Sequence, residues 1–156
     1  MNTLIIYDSM FGNTKKIADA MAGAFTPADT KVIKVTDATQ EDLAGIDLLI
    51  VGSPTHGGRA KPSTQVFLDA IKSDALAGVR VAAFDTRFEH GNHNIFLRLL
   101  MRVINFAAPR IAKTLVTMGG QLAADPEGFI VVGKQGPLKE GELARAVTWA
   151  KQLSVS

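Results

Sequence analysis

A polar turn near the start of the chain, over residues 8–14, has the residue types needed to hold an anion. It follows the apolar run Leu4–Ile6, which predicts a buried strand, and it precedes a helical pattern that opens at Lys15. The first N–H groups of a helix have no acceptor within the helix, and the helix dipole favours negative charge there. The turn adds side-chain donors and one glycine that allows close backbone approach, at Ser9, Gly12, Asn13 and Thr14.

The spacing of this turn excludes two common phosphate loops. It has no Gly-Lys-Ser/Thr for a nucleoside triphosphate and no G-x-G-x-x-G for a dinucleotide. The remaining pattern, Ser-x-x-Gly-Asn-Thr after a first strand, resembles the FMN-phosphate loop of the flavodoxin family. The alternative is a hydroxyl-rich N-cap on an ordinary helix. The resemblance assigns the phosphate to Ser9, Met10, Phe11, Gly12, Asn13 and Thr14.

The composition of the chain limits the kinds of protein that it can be. The chain has 156 residues, 47% hydrophobic and 21% charged, which predicts a single globular domain over residues 1–156. Absence of cysteine excludes disulfides and thiolate metal sites. A net charge of +2 is too small to indicate a nucleic-acid partner. There is no apolar run of transmembrane length and no signal-peptide pattern at the first residues, so we expect a cytoplasmic protein.

Apolar runs alternate with helical patterns along the whole chain, which predicts an α/β sheet with right-handed crossovers. The predicted strands are Thr3–Tyr7, Lys31–Val35, Leu48–Val51, Arg80–Phe84 and Thr114–Met118. Only the second alternates between apolar and polar residues, so we expect it at an edge. The predicted helices follow Thr14, Thr39, Ser63 and Pro137, and one covers Asn94–Ala108.

Two of these helices have a predicted apolar face. It consists of Val66, Phe67, Ala70 and Ile71 in the third helix, and of Leu143, Ala146, Val147, Ala150 and Leu153 in the last. Near residues 121–133 the alternation breaks, and we expect a small hairpin or a diverted last strand at the sheet edge.

The loop after the third strand, residues 52–62, contains three glycines and two prolines and is longer than a plain strand-to-helix connection. A flat ring approached closely by backbone needs such glycine content. Thr55 and His56 are placed to cover one face of the ring, although His56 taken alone is more typical of a solvated loop. The predicted ring contacts here are Pro54, Thr55, His56, Gly57 and Gly58.

The segment after the fourth strand, residues 85–93, lies across the same crevice in a parallel sheet whose ligand sits at the strands' carboxyl ends. Phe88 or His90 is placed to cover the other ring face. We expect backbone groups of residues 85–87 to meet the pyrimidine edge and Arg87 to stabilise negative charge on a reduced flavin. The alternative is an ordinary surface loop. The predicted contacts are Asp85, Thr86, Arg87, Phe88 and His90.

Together these three segments make the chain similar to the flavodoxin family over essentially its whole length. The resemblance implies a flavodoxin-like open five-stranded parallel sheet of order 2-1-3-4-5, with helices on both faces. It implies FMN as cofactor, one-electron cycling through the flavin semiquinone and a redox partner protein. In flavodoxins a peptide flip lets a carbonyl accept from N5–H of the semiquinone, and the resemblance carries this to Gly57. The chain departs from the family in its slightly basic charge and in its only Tyr and Trp, Tyr7 and Trp149, which lie outside the loops.

The leading hypothesis is an electron carrier rather than an enzyme, because no nucleophile–base pair or metal cluster is evident. The alternatives are an FMN-dependent oxidoreductase of the quinone reductase or protoporphyrinogen oxidase type, and a cofactor-free interaction module. From Ile95 to Ala108 the predicted helix is apolar except for a narrow stripe at Arg98, Arg102 and Asn105. This excess predicts a homodimer contact, a hydrophobic partner or peripheral membrane contact, unless neighbouring elements cover it.

Overall fold

Nearly uninterrupted apolar runs form the central strands of a parallel sheet, as expected where helices cover both faces. The structure, a computed structural model, describes residues 1–88 and 106–155. The strands are β1 (Thr3–Tyr7), β2 (Thr30–Lys34), β3 (Leu48–Pro54), β4 (Arg80–Phe88), β5 (Gln121–Leu122) and β6 (Glu127–Val131). The half-exposed strand β2 lies at one edge, as its alternating sequence predicts.

The strand order is β2-β1-β3-β4-β5, and every pair is parallel. This confirms the predicted order 2-1-3-4-5. Strand β5 pairs with the beginning of β4, where Arg80 lies opposite Gln121, and β6 pairs with its end, from Phe84 opposite Glu127 onward. Both segments run parallel to β4, so the edge is one interrupted strand. Of the two options for residues 121–133, the diverted strand is therefore right and the hairpin is wrong.

Four helices connect the strands among the described residues. They are α1 (Asn13–Ala22), α2 (Pro62–Ala70), α3 (Ala107–Thr117) and α4 (Glu142–Ser154). The helix predicted after Thr39 is a short 3-10 turn, Gln40–Leu43, which begins with a capping box: the Thr39 N–H donates to the Asp42 carboxylate at 2.8 Å. Pro27–Asp29 forms a second 3-10 turn.

Alternation along the strands divides the core between the two faces of the sheet. Leu4 and Ile6 of β1 point to the side covered by α2 and α3, whereas Ile5 points to the side covered by α1 and α4. Successive strand side chains face opposite ways, so each central strand contributes to both halves of the core.

One strand assignment is wrong. Thr114–Met118, predicted as the fifth strand, is the last turn and the C-cap of α3. Its neighbours Ile111, Ala112 and Leu115 are buried at helical spacing, whereas Val116 is exposed. A short apolar run does not by itself distinguish a strand from a buried helix, and here packing against the sheet selects the helix.

The end of β4 is also longer than predicted. Residues 85–88 were expected to form a loop but continue the strand, because they gain partners on both sides. Asp85 lies opposite Ser53 of β3 and Gly128 of β6, and Thr86 lies opposite Pro54 and Phe129.

Three side chains predicted to face inward are exposed: Val66, Ala70 and Leu143. In α2 the buried face consists of Thr64, Phe67, Leu68 and Ile71, and it is therefore rotated from the predicted apolar face. In α4 it includes Trp149 with Ala146, Ala150 and Leu153. The helix predicted over Asn94–Ala108 lies outside the described residues up to position 105, and its last two residues open α3.

Candidate functional site

A cavity of about 740 Å³ opens at the carboxyl ends of β1, β3 and β4. This is where an open parallel sheet binds its ligands when the strand order reverses, here between β1 and β3. The lining residues are Ser9, Met10, Phe11, Asn13, Thr14, Pro54, Thr55, His56, Gly57, Gly58, Thr86, Arg87, Phe88, Phe106, Val131 and Lys134. Of the predicted site residues, Gly12 and Asp85 are not among those that line the cavity, and His90 lies outside the described residues.

The turn between β1 and α1 forms one end of the cavity. Gly12 is the N-cap of α1 and has a φ of 88°, a left-handed conformation that favours glycine. Its N–H donates to Ser9 Oγ at 2.9 Å, so the serine closes the turn. The hydroxyl of buried Thr14 lies 2.8 Å from that of Thr86, which ties the start of α1 to β4. The open N-terminus of α1 thus faces the cavity, and these two hydrogen bonds hold it in place.

A buried carboxylate joins this turn to the loop after β3. Asp8 is 1% exposed, and its carboxylate accepts hydrogen bonds from Lys61 Nζ at 2.9 Å, Thr64 Oγ1 at 3.1 Å and Ser63 Oγ. Burial opposes ionisation of Asp8, but the hydrogen bonds from Ser63 and Lys61 outweigh it and hold its pKa below the usual range. The charge of Lys61 is therefore neutralised by an ion pair.

A second buried ion pair supports the other end of the cavity. Asp85 is completely buried and accepts from Arg87 Nε at 2.5 Å and Arg87 Nη2 at 2.7 Å. It also accepts from the Ala108 N–H at 2.8 Å, at the start of α3. Burial raises the pKa of Asp85, and its hydrogen bonds to Arg87 and the Ala108 N–H act in the opposite direction.

Arg87 is held between this carboxylate and an aromatic ring. Its guanidinium carbon lies 3.7 Å from the centre of the Phe106 ring, and both side chains are buried. Since Asp85 matches its charge, Arg87 presents the cavity with one member of a neutral pair rather than with an isolated cation.

The glycine-rich loop after β3 is a tight turn. His56 and Arg59 exchange backbone hydrogen bonds at 2.8 and 3.2 Å, and the two residues between them, Gly57 and Gly58, have φ values of 57° and 75°. Positive φ at both central positions is the pattern of a type I′ turn. Thr55 Oγ1 accepts from the Ala107 N–H at 3.0 Å and fastens the loop to α3. The loop therefore forms a firm wall with little side-chain bulk.

These features match one known family. The model of the flavodoxin domain family matches residues 4–122. The chain belongs to the flavodoxin family. A flavodoxin from Aquifex aeolicus (strain VF5) is 36% identical over 111 residues, which are 66% of this chain and 60% of that protein. The match thus spans less than two thirds of that relative.

Solved structures share the fold. Oxidised Flavodoxin 2 from Bacillus cereus has a TM-score of 0.76 at 23% identity, over 99% of this chain and 98% of that one. The rubredoxin oxygen:oxidoreductase of Desulfovibrio gigas has a TM-score of 0.74 at 21% identity, over 99% of this chain but only 35% of its own. The flavodoxin fold therefore occurs both alone and as part of a larger protein.

Members of the flavodoxin family bind flavin, and the described cavity fits one. No carboxylate stands among its described lining residues, whereas hydroxyl and amide groups line the end at α1. A Cβ built on Gly12 meets nothing within 4 Å, so there is free space above the turn. The volume lies within the usual range for small-molecule sites. An anionic group at the turn and a flat ring between the loops are thus compatible with the cavity.

The aromatic residues that line the cavity do not include the chain's only tryptophan or its only tyrosine. The only tryptophan, Trp149, is buried against Phe129 with ring centres 6.4 Å apart, and neither it nor Tyr7 lines the cavity. Phe88, 43% exposed, and buried Phe106 line it instead. Flat apolar contacts at this site come from phenylalanines.

Sequence reasoning missed three lining residues: Phe106, Val131 and Lys134. Phe106 was assigned to an apolar helix flank, and Val131 to an edge segment. Lys134 follows β6 in the sequence Gly133-Lys134-Gln135-Gly136-Pro137, which is typical of a turn at a strand's carboxyl end. In a parallel sheet that position alone predicts proximity to the ligand, and this signal was available.

Among residues 1–88 and 106–155 there is no group of three His, Asp or Glu side chains able to hold a metal ion. None of the helices in these ranges is both long and apolar enough to cross a membrane.

Proposed function

We propose that this chain binds FMN in the cavity described above and carries electrons one at a time between redox partner proteins. The observation that supports this most is the division of the cavity. One end offers the open N-terminus of α1 with hydroxyl and amide donors, and the other offers phenylalanine rings and glycine backbone. A phosphate-bearing ligand with a flat ring matches both ends.

The phosphate belongs on the turn at the start of α1. Asn13 and Thr14, at the start of the helix, line the cavity, and the first N–H groups of a helix have no acceptors within it. Ser9 Oγ already accepts from Gly12, so its own hydroxyl proton remains available for a phosphate oxygen. Asn13 and Thr14 complete the set of polar side chains.

The ring belongs between the β3 loop and the end of β4. Phe88 and His56 line this part of the cavity and offer flat surfaces, while Pro54 and Phe106 exclude water. When bound, FMN supplies the capacity to accept and release single electrons. The left-handed Gly57 tolerates either orientation of its peptide, so the loop can present a carbonyl or an N–H to the ring at little cost.

FMN binding is tested by titration of the purified protein, followed by flavin absorbance and fluorescence. We expect one FMN per chain, a shifted flavin spectrum and much weaker binding of riboflavin, which lacks the phosphate. A protein that binds no flavin would overturn the proposal and would favour the cofactor-free interaction module.

A second candidate, an FMN-dependent oxidoreductase, is favoured by one observation. Met10 and Phe11 line the cavity and are 47% and 43% exposed, so its mouth is apolar enough for a lipophilic substrate. Steady-state turnover with NAD(P)H and a quinone, in the absence of a partner reductase, distinguishes the two. We expect negligible turnover if the chain is a carrier.

A further inference from the structure

The turn between β1 and α1 lacks a basic residue of its own. No Lys or Arg occurs in residues 8–14. The next residue, Lys15, forms an ion pair with Asp19 at 2.6 Å along the outside of α1. A phosphate bound there would therefore depend on dipoles and neutral donors, unless another part of the chain provides a cation.

The loop after β6 brings such a cation to the cavity. Lys134 lines the same cavity as Ser9, Asn13 and Thr14, its side chain is exposed, and it forms no ion pair with any described residue. The other cation of the lining, Arg87, is paired with Asp85. Among the described lining residues, Lys134 is thus the one Lys or Arg whose charge no carboxylate matches.

The position of Lys134 is set by backbone contacts rather than by its own side chain. The carbonyl of its neighbour Gln135 accepts from Asn13 Nδ2 at 3.1 Å, which joins the loop to the first residue of α1. The loop is closed at its base by the Val132 N–H, which donates to the Pro137 carbonyl at 2.9 Å. Substitution of Lys134 should therefore leave the loop in place.

Gly136 shows how closely the loop and the helix meet. A Cβ at Gly136 would lie 2.7 Å from the end of the Asn13 side chain, and the φ of 103° at this residue also favours glycine. The loop tip consequently sits against the start of α1, at the same end of the cavity as the phosphate turn.

We propose that Lys134 provides the positive charge that binds the FMN phosphate, across the gap between the β6–α4 loop and the β1–α1 turn. This rests on the proposed function. An ammonium group is a compact charge with three donors and suits a phosphate dianion. Lys134 would then select FMN over riboflavin, and its contribution would weaken as salt rises.

The test compares Lys134→Met, Lys134→Arg and wild type by titration with FMN and with riboflavin at low and high salt. We expect Lys134→Met to weaken FMN binding on the order of tenfold at low salt and to leave riboflavin binding unchanged. Lys134→Arg should retain most of the affinity for FMN. Lys151→Met, in the last turn of α4, is the control for net charge and should behave as wild type.

The outcomes separate the two proposals. Wild type that binds no flavin would overturn the proposed function, and this inference with it. Wild type that prefers FMN, with Lys134→Met showing the same preference and the same salt dependence, would overturn the role of Lys134 alone. Equal weakening of FMN and riboflavin would also overturn it, because a loss of loop structure does not distinguish the phosphate.

Discussion

The polar groups at the two ends of the cavity differ in whether they have partners within the protein. At the end of β4, Asp85 and Arg87 satisfy each other, and Phe106 covers the guanidinium. At the start of α1, the helix N–H groups and Lys134 have no partner within the helix or among the described carboxylates. The polar groups at the end of β4 are thus paired within the protein, whereas those at the start of α1 line the end of the cavity where we propose that the phosphate binds.

Because of this difference, substitutions at the two ends should have different effects on stability and on ligand affinity. A change in the Asp85–Arg87 pair removes an interaction that the fold already contains, so it should lower the free energy of unfolding. A change at the β1–α1 turn removes groups that we propose contact the ligand, so it should lower affinity with less effect on the fold. Substitution of Asp8 should have an effect of both kinds, because its hydrogen bonds with Lys61, Ser63 and Thr64 hold the turn in place.

The largest expected effect comes from Asp85→Asn. The substitution keeps the shape but leaves the Arg87 charge buried without a counter-ion, which typically costs about 3–5 kcal/mol of unfolding free energy. Urea denaturation of the flavin-free protein measures it. Lys31→Met is the matched control, since the Lys31–Asp42 pair is of similar length, 2.6 Å, but its lysine is 65% exposed; we expect less than about 1 kcal/mol. Equal losses of unfolding free energy in Asp85→Asn and Lys31→Met would contradict the expected difference between the buried and the exposed ion pair.

Asp8→Asn should have an intermediate effect that depends on pH. The pKa of Asp8 is lowered from 3.8 in the folded protein. The stability gained from its ionised form is therefore present above pH 3.8 and is lost as the pH falls below this value through the lower folded pKa. We expect a loss of about 2 kcal/mol at neutral pH.

Urea denaturation across a pH series checks this prediction. The difference between wild type and Asp8→Asn should shrink as the pH is lowered into the acid range. A difference that stays constant throughout would mean that the Asp8 charge does not contribute.

Gly12→Val should mainly affect ligand binding. A β-branched residue is strained at a φ of 88°, so the turn and its N–H groups would shift. We expect FMN affinity to fall on the order of tenfold or more, which corresponds to about 1.4 kcal/mol. The reason is backbone conformation rather than a clash within the free protein, since a Cβ at this position meets nothing within 4 Å.

Gly45→Val is the control for this prediction. Gly45 has a similar φ of 71° and equal open space, but it precedes β3 at the opposite end of the sheet. It should reduce stability comparably while leaving FMN affinity unchanged. If both variants bind FMN as wild type does, the turn is not the phosphate site.

Local patterns in the chain predicted much of this architecture. Apolar runs predict the strands β1, β3 and β4, which are buried on both faces, and the polar turn with Gly12 predicts an anion site at a helix start. These signals are carried by neighbours in the sequence, so no tertiary information is needed to read them. The strand order came from resemblance to the flavodoxin family rather than from periodicity.

Other features arise only when distant segments meet. Residues 85–88 became strand because β6 pairs with them, and 114–118 became helix because Ile111 and Leu115 pack on the sheet. The surroundings of two lysines are decided in the same way. Lys61 is neutralised by Asp8, 53 positions away in the sequence, and the loop that carries Lys134 is joined to the start of α1 by the hydrogen bond from Asn13 to Gln135, 122 positions away. A side chain's charge is a property of the sequence, but whether it remains available depends on which partner the fold places beside it.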